Sequence, residues 1–136
     1  MEFSMEYSQN PNKSIETFVD KFHMRDAELT EETVDYRMAL FEEEAQETIG
    51  AWRTSNPEEL VDGHIDVIVI ALGNLAIFGV NFDRAFDQVM KANMAKEIGK
   101  RKETDPEEGS IYKPEGWVGP DHSDNHGALD ELFSQD

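Results

Sequence analysis

The feature that most constrains the fold is a well-marked turn between two long helical stretches. In Thr54-Ser55-Asn56-Pro57, Asn56 can cap a helix and Pro57 suits its first position, while Glu58 and Glu59 complement the positive helix end. Upstream, Thr30 followed by Glu31, Glu32 and Thr33 reads as the N-cap of a helix running to about Arg53. Its apolar residues Val34, Met38, Phe41, Ala45, Ile49 and Trp52 recur at helical spacing and form one stripe. Downstream, a third helix runs to about Phe78 and is apolar nearly all round after Asp66, so it should be the most buried element. Ala71, Gly73 and Ala76 would let a neighbouring helix approach closely. The β-branched run Val67–Ile70 would also suit a buried strand, but the segment is too long and lacks strand punctuation. The expected fold class is all-α, built on a helical hairpin.

Both arms of the hairpin carry carboxylates. The first cluster is Glu42-Glu43-Glu44-Ala45-Gln46-Glu47 and the second Glu59-Leu60-Val61-Asp62-Gly63-His64-Ile65-Asp66. On a helical wheel Glu43, Glu44 and Glu47 fall within roughly a 100° arc, and Glu59, Asp62 and Asp66 within about 60°. If the two helices pack antiparallel, the carboxylates converge. They would then repel one another and raise each other's pKa unless cations lie among them. Mg²⁺ or Mn²⁺ prefers such oxygen ligands and takes the rest from water and substrate phosphate. The arrangement is suited to cutting a nucleotide's phosphate chain. Leu40 falls on the carboxylate side of the second helix, opposite the stripe, so that helix can pack in two directions.

Around the hairpin, Ser14 can cap a first helix carrying Ile15, Phe18, Val19 and Phe22. Gly79-Val80-Asn81 stops the third helix, and Asn81 caps a fourth from Phe82 to about Glu97. Residues 1–13 then form a flexible lead-in, 14–99 the helical domain, 100–121 an irregular arm packing on the domain or a neighbouring protomer, and 122–136 an acidic, disordered tail. A chain of 136 residues supports one domain or one protomer of an assembly, and a hairpin this small buries little surface alone. The net charge of −18 opposes a general grip on nucleic acid or an anionic membrane, both of which need basic stripes. It also opposes binding of a bare nucleotide, a conflict that bound cations would resolve locally. No cysteine is present, so neither disulfides nor a thiolate site exist, which fits a reducing, cytoplasmic setting. The N-terminus lacks signal-peptide character, and the run Ile65–Val80, interrupted by Asp66 and Asn74, is too short to span a bilayer.

Among the remaining polar residues, His23, His64, His122 and His126 share no ligand spacing on a helix. His64 points about 140° away from the Glu59/Asp66 face, which favours a surface or interface role. Trp52 lies on the apolar stripe and is expected in a core. Trp117 sits in a loop poor in apolar residues and is expected to pack on the body of the fold or on another protomer. Lys91, Lys96 and Lys113 are unusual cations in so acidic a chain.

The residues resemble the all-α nucleoside triphosphate pyrophosphohydrolases, the MazG-like group that includes dimeric dUTPases and phosphoribosyl-ATP pyrophosphohydrolases. The family's EExxE and ExxD motifs appear as Glu43-Glu44-Ala45-Gln46-Glu47 and Glu59-Leu60-Val61-Asp62. The likeness continues through Asp66–Gly73, Gly79-Val80-Asn81-Phe82 and Val89–Lys96, whose Asn93 and Lys96 match an asparagine–lysine element. It extends to Lys113–Asp121, similar to the proline–tryptophan segment of small, often viral members. Coverage is roughly residues 15 to 121. The gap between Glu47 and Glu59 is at the short end of the family's range, so Asp62 and Asp66 both stand for the family aspartate.

The resemblance implies a homo-oligomer, dimer or tetramer, with four-helix-bundle cores between protomers, cytoplasmic or in a host cytoplasm. It implies hydrolysis of a nucleoside or deoxynucleoside triphosphate to the monophosphate and pyrophosphate. Glu44, Glu47, Glu59 and Asp62, with Asp66, would hold two or three Mg²⁺ or Mn²⁺ ions, and Glu43 would act as general base. Asn93 and Lys96, with Lys91 and Lys113, would contact phosphate. Likeness to viral-type members points to dGTP or GTP, with dUTP or dCTP as the alternative. Two readings from other classes stand beside it: a non-catalytic acidic helical protein mimicking nucleic acid, and a metal-binding regulatory domain without turnover. Against the mimic, Asp66 opens an otherwise apolar helix, and burying an acid without a role is costly.

Overall fold

A computed structural model of the chain describes residue 7 and residues 9–99 and 110–134. The described elements are α1 (Pro11–Lys21), α2 (Glu31–Arg53), α3 (Pro57–Phe78), α4 (Phe82–Met94), β1 (Glu97–Ile98), β2 (Ile111–Tyr112) and α5 (Leu129–Phe133). The protein is thus mostly helical. It divides into two compact units, the first comprising residues 1–82 and 126–136 and the second residues 83–125.

In the first unit, α2 and α3 form the expected hairpin. Thr30 caps α2 by accepting from the Thr33 amide, and Asn56 caps α3 by accepting from the Glu59 amide, with Pro57 at the first helical position. α3 ends at Gly79, whose φ of 80° is the left-handed conformation that a glycine adopts without strain. α1 starts earlier than Ser14: Asn10 accepts from the Lys13 amide and Pro11 opens the helix. The same Asn-Pro signature that marks α3 therefore also marks α1. Ile15 and Val19 of α1 pack with Leu72 and Ala76 of α3, and Met24, Val69, Ile77 and Phe82 surround this core.

The stripe of α2 does not enter this core. Met38, Phe41 and Ile49 are exposed and Trp52 is 71 % exposed, which corrects the expectation of a core tryptophan. α3 is likewise less buried than its composition implies, since Val61, Ile65 and Ile68 are also exposed. At 22 residues α3 is long and apolar enough to cross a membrane by length and composition alone, which corrects the expectation drawn from the shorter run Ile65–Val80. Its packing against α1 and α2 accounts for the apolar character of the buried part.

The expected disordered tail is instead partly ordered. The Ala128 amide donates to the Phe78 carbonyl, α5 follows, and Leu132 is buried. Gly127 makes this possible: its φ is 58°, and a β-carbon there would collide with the Phe78 carbonyl and lie 2.7 Å from the Gly79 carbonyl carbon. Apolar burial of one leucine and a backbone latch outweigh the polar composition of the segment.

In the second unit, α4 stops at Met94 rather than near Glu97, because Glu97–Ile98 pairs antiparallel with Ile111–Tyr112. The expected irregular arm therefore contains a strand, and its residues 100–109 lie outside the described residues. Arg84 pairs with Asp124 at 2.7 Å, and the Asp121 amide donates to Gln88 Oε1, fastening the loop to α4.

Candidate active site

The α2–α3 hairpin is held by its polar side. Arg37, Leu40, Glu44, Thr48 and Ala51 recur at three- and four-residue intervals and form one face of α2. On it, Arg37 is buried and its Nε donates to Asn74 Oδ1 at 2.7 Å. Thr48 is buried too, and its hydroxyl donates to the Glu44 carbonyl at 2.7 Å. Opposite Thr48 lies Gly63, where a β-carbon would strike the Thr48 hydroxyl and come 3.0 Å from its Cβ. Opposite Arg37 lies Gly73, where a β-carbon would come 2.9 Å from Nη2. These two contacts fix an antiparallel register that sets Glu44 level with Asp66 and Val67, and Glu59 level with Trp52.

The register brings most of the expected carboxylates together. Partial burial pushes the Glu44 carboxyl above its ordinary range, and the charges of Glu47, Asp66, Glu43 and Asp62 push it further. Burial likewise raises the Asp66 carboxyl, helped by the charge of Asp62 and a hydrogen bond between the two side chains. Asp62 and Asp66 thus both belong to the cluster. Glu43 is exposed beside Glu44. Glu59 is exposed in the first turn of α3, about two turns before Asp66. Among the described residues no three acidic or histidine side chains close on a single point as metal ligands would. Like charges hold such groups apart, and the donor set, all carboxylate oxygen, fits a hard divalent ion.

The second unit collects cations. The Trp117 indole donates to the Ala92 carbonyl at 2.8 Å, fixing its ring against α4. Lys96 Nζ lies 5.5 Å and Lys113 Nζ 4.9 Å from the ring centre. Lys91 lines the cavity of about 530 Å³ that Trp117, Ala92 and Pro114 also border. Asn93 is exposed on the last turn of α4. Three of the four residues expected to contact phosphate therefore gather around Trp117. Of the histidines, His64 Nδ1 lies 2.7 Å from the Leu60 carbonyl, His23 meets Asp26 and His126 meets Asp130.

Sequence reasoning missed the buried Arg37–Asn74 pair and the packing of Lys96 and Lys113 on the Trp117 ring. A signal existed for the first: Asn74 is the one amide in an apolar helix, and Arg37 lies seven residues before Glu44 on the same face. The second depends on residues far apart in sequence and left no local signal.

A family model described as phosphoribosyl-ATP pyrophosphohydrolase matches residues 12–93. The match takes in α1 except Pro11, the whole hairpin and α4 except Met94, with both acidic clusters inside it and Lys96, Lys113 and Trp117 beyond it. No curated protein matches the chain.

Proposed function

The chain belongs to the phosphoribosyl-ATP pyrophosphohydrolase family, hydrolases that cut phosphoric anhydride bonds in nucleotides, and from that premise we propose that it converts a nucleoside or deoxynucleoside triphosphate to the monophosphate and pyrophosphate. The observation that carries this reading is the gathering of Glu44, Glu47, Asp62 and Asp66 between α2 and α3.

Glu44, Glu47, Glu59 and Asp62, with Asp66, would hold two or three Mg²⁺ or Mn²⁺ ions. Bound there, the ions would neutralise the triphosphate and make a water more acidic. Glu43 would act as the general base, accepting a proton from the attacking water as its oxygen bonds to phosphorus. The bridge between the α and β phosphates breaks: attack at the α phosphorus expels pyrophosphate with the bonding electrons, and attack at the β phosphorus expels the monophosphate with them. Asn93, Lys91, Lys96 and Lys113 are assigned to phosphate contact, on chemistry and family likeness. The base is guanine, as dGTP or GTP, with dUTP and dCTP the alternatives. The exposed stripe of Met38, Phe41, Ile49 and Trp52, together with Val61, Ile65 and Ile68, is an apolar surface of the kind soluble monomers rarely leave open. It supports assembly as a dimer or tetramer.

The test is a panel of ribo- and deoxyribonucleoside triphosphates and phosphoribosyl-ATP with Mg²⁺ or Mn²⁺, scored for monophosphate and pyrophosphate. Release of pyrophosphate that a chelator abolishes is the expected result. Hydrolysis of phosphoribosyl-ATP alone would move the substrate, and no hydrolysis of any member would leave a nucleic-acid mimic or a regulatory domain.

A further inference from the structure

One cavity of the first unit is unused by the proposed chemistry. It measures about 400 Å³, within the range of small-ligand sites. Phe18, Tyr36, Leu40, Val69 and Ile77 give it apolar and aromatic walls, and Arg37 is its one cation. In a chain of net charge −18, this arginine pairs with no carboxylate among the described residues. Asn74 engages only Nε and so fixes the guanidinium plane, while Gly73 lets Nη2 lie close against α3. An arginine held this way presents a rigid fork of N–H donors and no acceptor. Its Nη donors face the cavity that Arg37 lines, so a group bound there could accept from them.

The cavity also has a fixed relation to the carboxylates. Arg37 and Glu44 share a face of α2 seven residues apart, about 10 Å along the helix axis. On α3, Ile70 lines the cavity one turn beyond Asp66. Glu44 and Asp66 therefore lie within one to two helical turns of the cavity wall, within reach of the phosphates of a nucleotide whose base occupies it.

Resting on the triphosphate reading above, we infer that this cavity is the base subsite and that Arg37 is a specificity-determining residue for guanine, its Nη groups donating to the adjacent O6 and N7 acceptors. Guanine offers that pair of acceptors on one edge, whereas adenine sets a donor beside N7. Uracil interposes N–H between its two acceptors. Cytosine has neighbouring acceptors at O2 and N3, but a single ring leaves more of the aromatic wall uncovered.

The experiment measures kcat/KM of the full chain with Mg²⁺ on dGTP, 7-deaza-dGTP, dATP and dCTP. The unmodified protein should favour dGTP, and replacing N7 by carbon should cost about tenfold or more, the size of one lost hydrogen bond from a charged donor. Arg37→Lys keeps the charge and loses the fork, so it should bring dGTP down to the level of 7-deaza-dGTP while changing the latter little. The unmodified protein carries the test even if the variant folds poorly. Equal rates on dGTP and 7-deaza-dGTP, or a preference for dCTP or dATP, overturns the inference and leaves the proposed function standing. So does an equal loss on all four substrates in Arg37→Lys, or a change of oligomeric mass in that variant, which would make the cavity an interface between copies. No turnover of any triphosphate overturns both.

Discussion

The two faces of α2 reverse the usual order of a surface helix. The side turned to α3 carries Arg37, Glu44 and Thr48, while the outer side carries Met38, Phe41, Ile49 and Trp52. A helix folding only to bury hydrocarbon would present the stripe to α3 and leave charge to water. Here glycines at 63 and 73 let α3 close on polar side chains, and two carboxyls are raised as a result. The inner face is shaped by what it must hold, and the outer face is left for another surface to cover.

The sharpest way to break this contrast is to neutralise the inner face. Glu44→Gln and Asp62→Asn are near-isosteric, and each should lower turnover by roughly two orders of magnitude or more while leaving the melting temperature unchanged or higher. Glu42→Gln, on the neighbouring side of the helix, should stay within a few-fold in the same assay. If Glu42→Gln abolishes turnover and Glu44→Gln does not, the helical phasing of the site is wrong.

Closing the inner face can be tested sterically. Gly63→Val forces a side chain into Thr48 and should cost about 1–3 kcal/mol in denaturant unfolding. Adding Thr48→Ala should restore part of that loss. A neutral Gly63→Val would mean that the two helices do not approach closely there.

The outer face should behave in the opposite way. Ile49→Ser with Trp52→Ser changes exposed positions, so the hairpin itself should lose little, about 0.5 kcal/mol per substitution at most in a monomer. Light scattering should nevertheless show the assembly falling to single chains. A parent protein that is already monomeric at micromolar concentration would remove the reason given for the stripe.

The smallest effect is in pH. Glu44 and Asp66 have folded-state pKa values raised by burial and like charge. In the window above the ordinary carboxylate range the folded chain binds more protons than the unfolded one, so stability falls as pH rises through the raised values. Acidification from neutrality towards that range should raise the melting temperature, and Glu44→Gln should flatten the rise. A steeper rise in the variant would contradict the assignment.

The hairpin was legible because its punctuation is local: Thr30, Asn56-Pro57 and Gly79 each act within a few residues. The carboxylate faces were legible because helical spacing carries them. What escaped reading was decided at a distance. Neither Arg37 nor Asn74 announces the other, and which side of α2 meets α3 depends on glycines in a different helix. Asn10-Pro11 carried a readable signal that Ser14 obscured. The tail misled because a helix of five residues with one buried leucine has almost no periodicity to show.

The latch at Gly127 has a consequence for how the chain is made. The first unit is discontinuous in sequence, its last part separated from Phe82 by the whole of residues 83–125. On a ribosome, which releases the N-terminal part first, α1, α2 and α3 emerge with the Phe78 carbonyl unclaimed. The amide that claims it belongs to Ala128, which emerges only after residues 83–125 have done so. A message truncated just before that codon would yield a hairpin with every proposed ligand in place and Gly79 still capping α3, but with the Phe78 carbonyl without its partner amide.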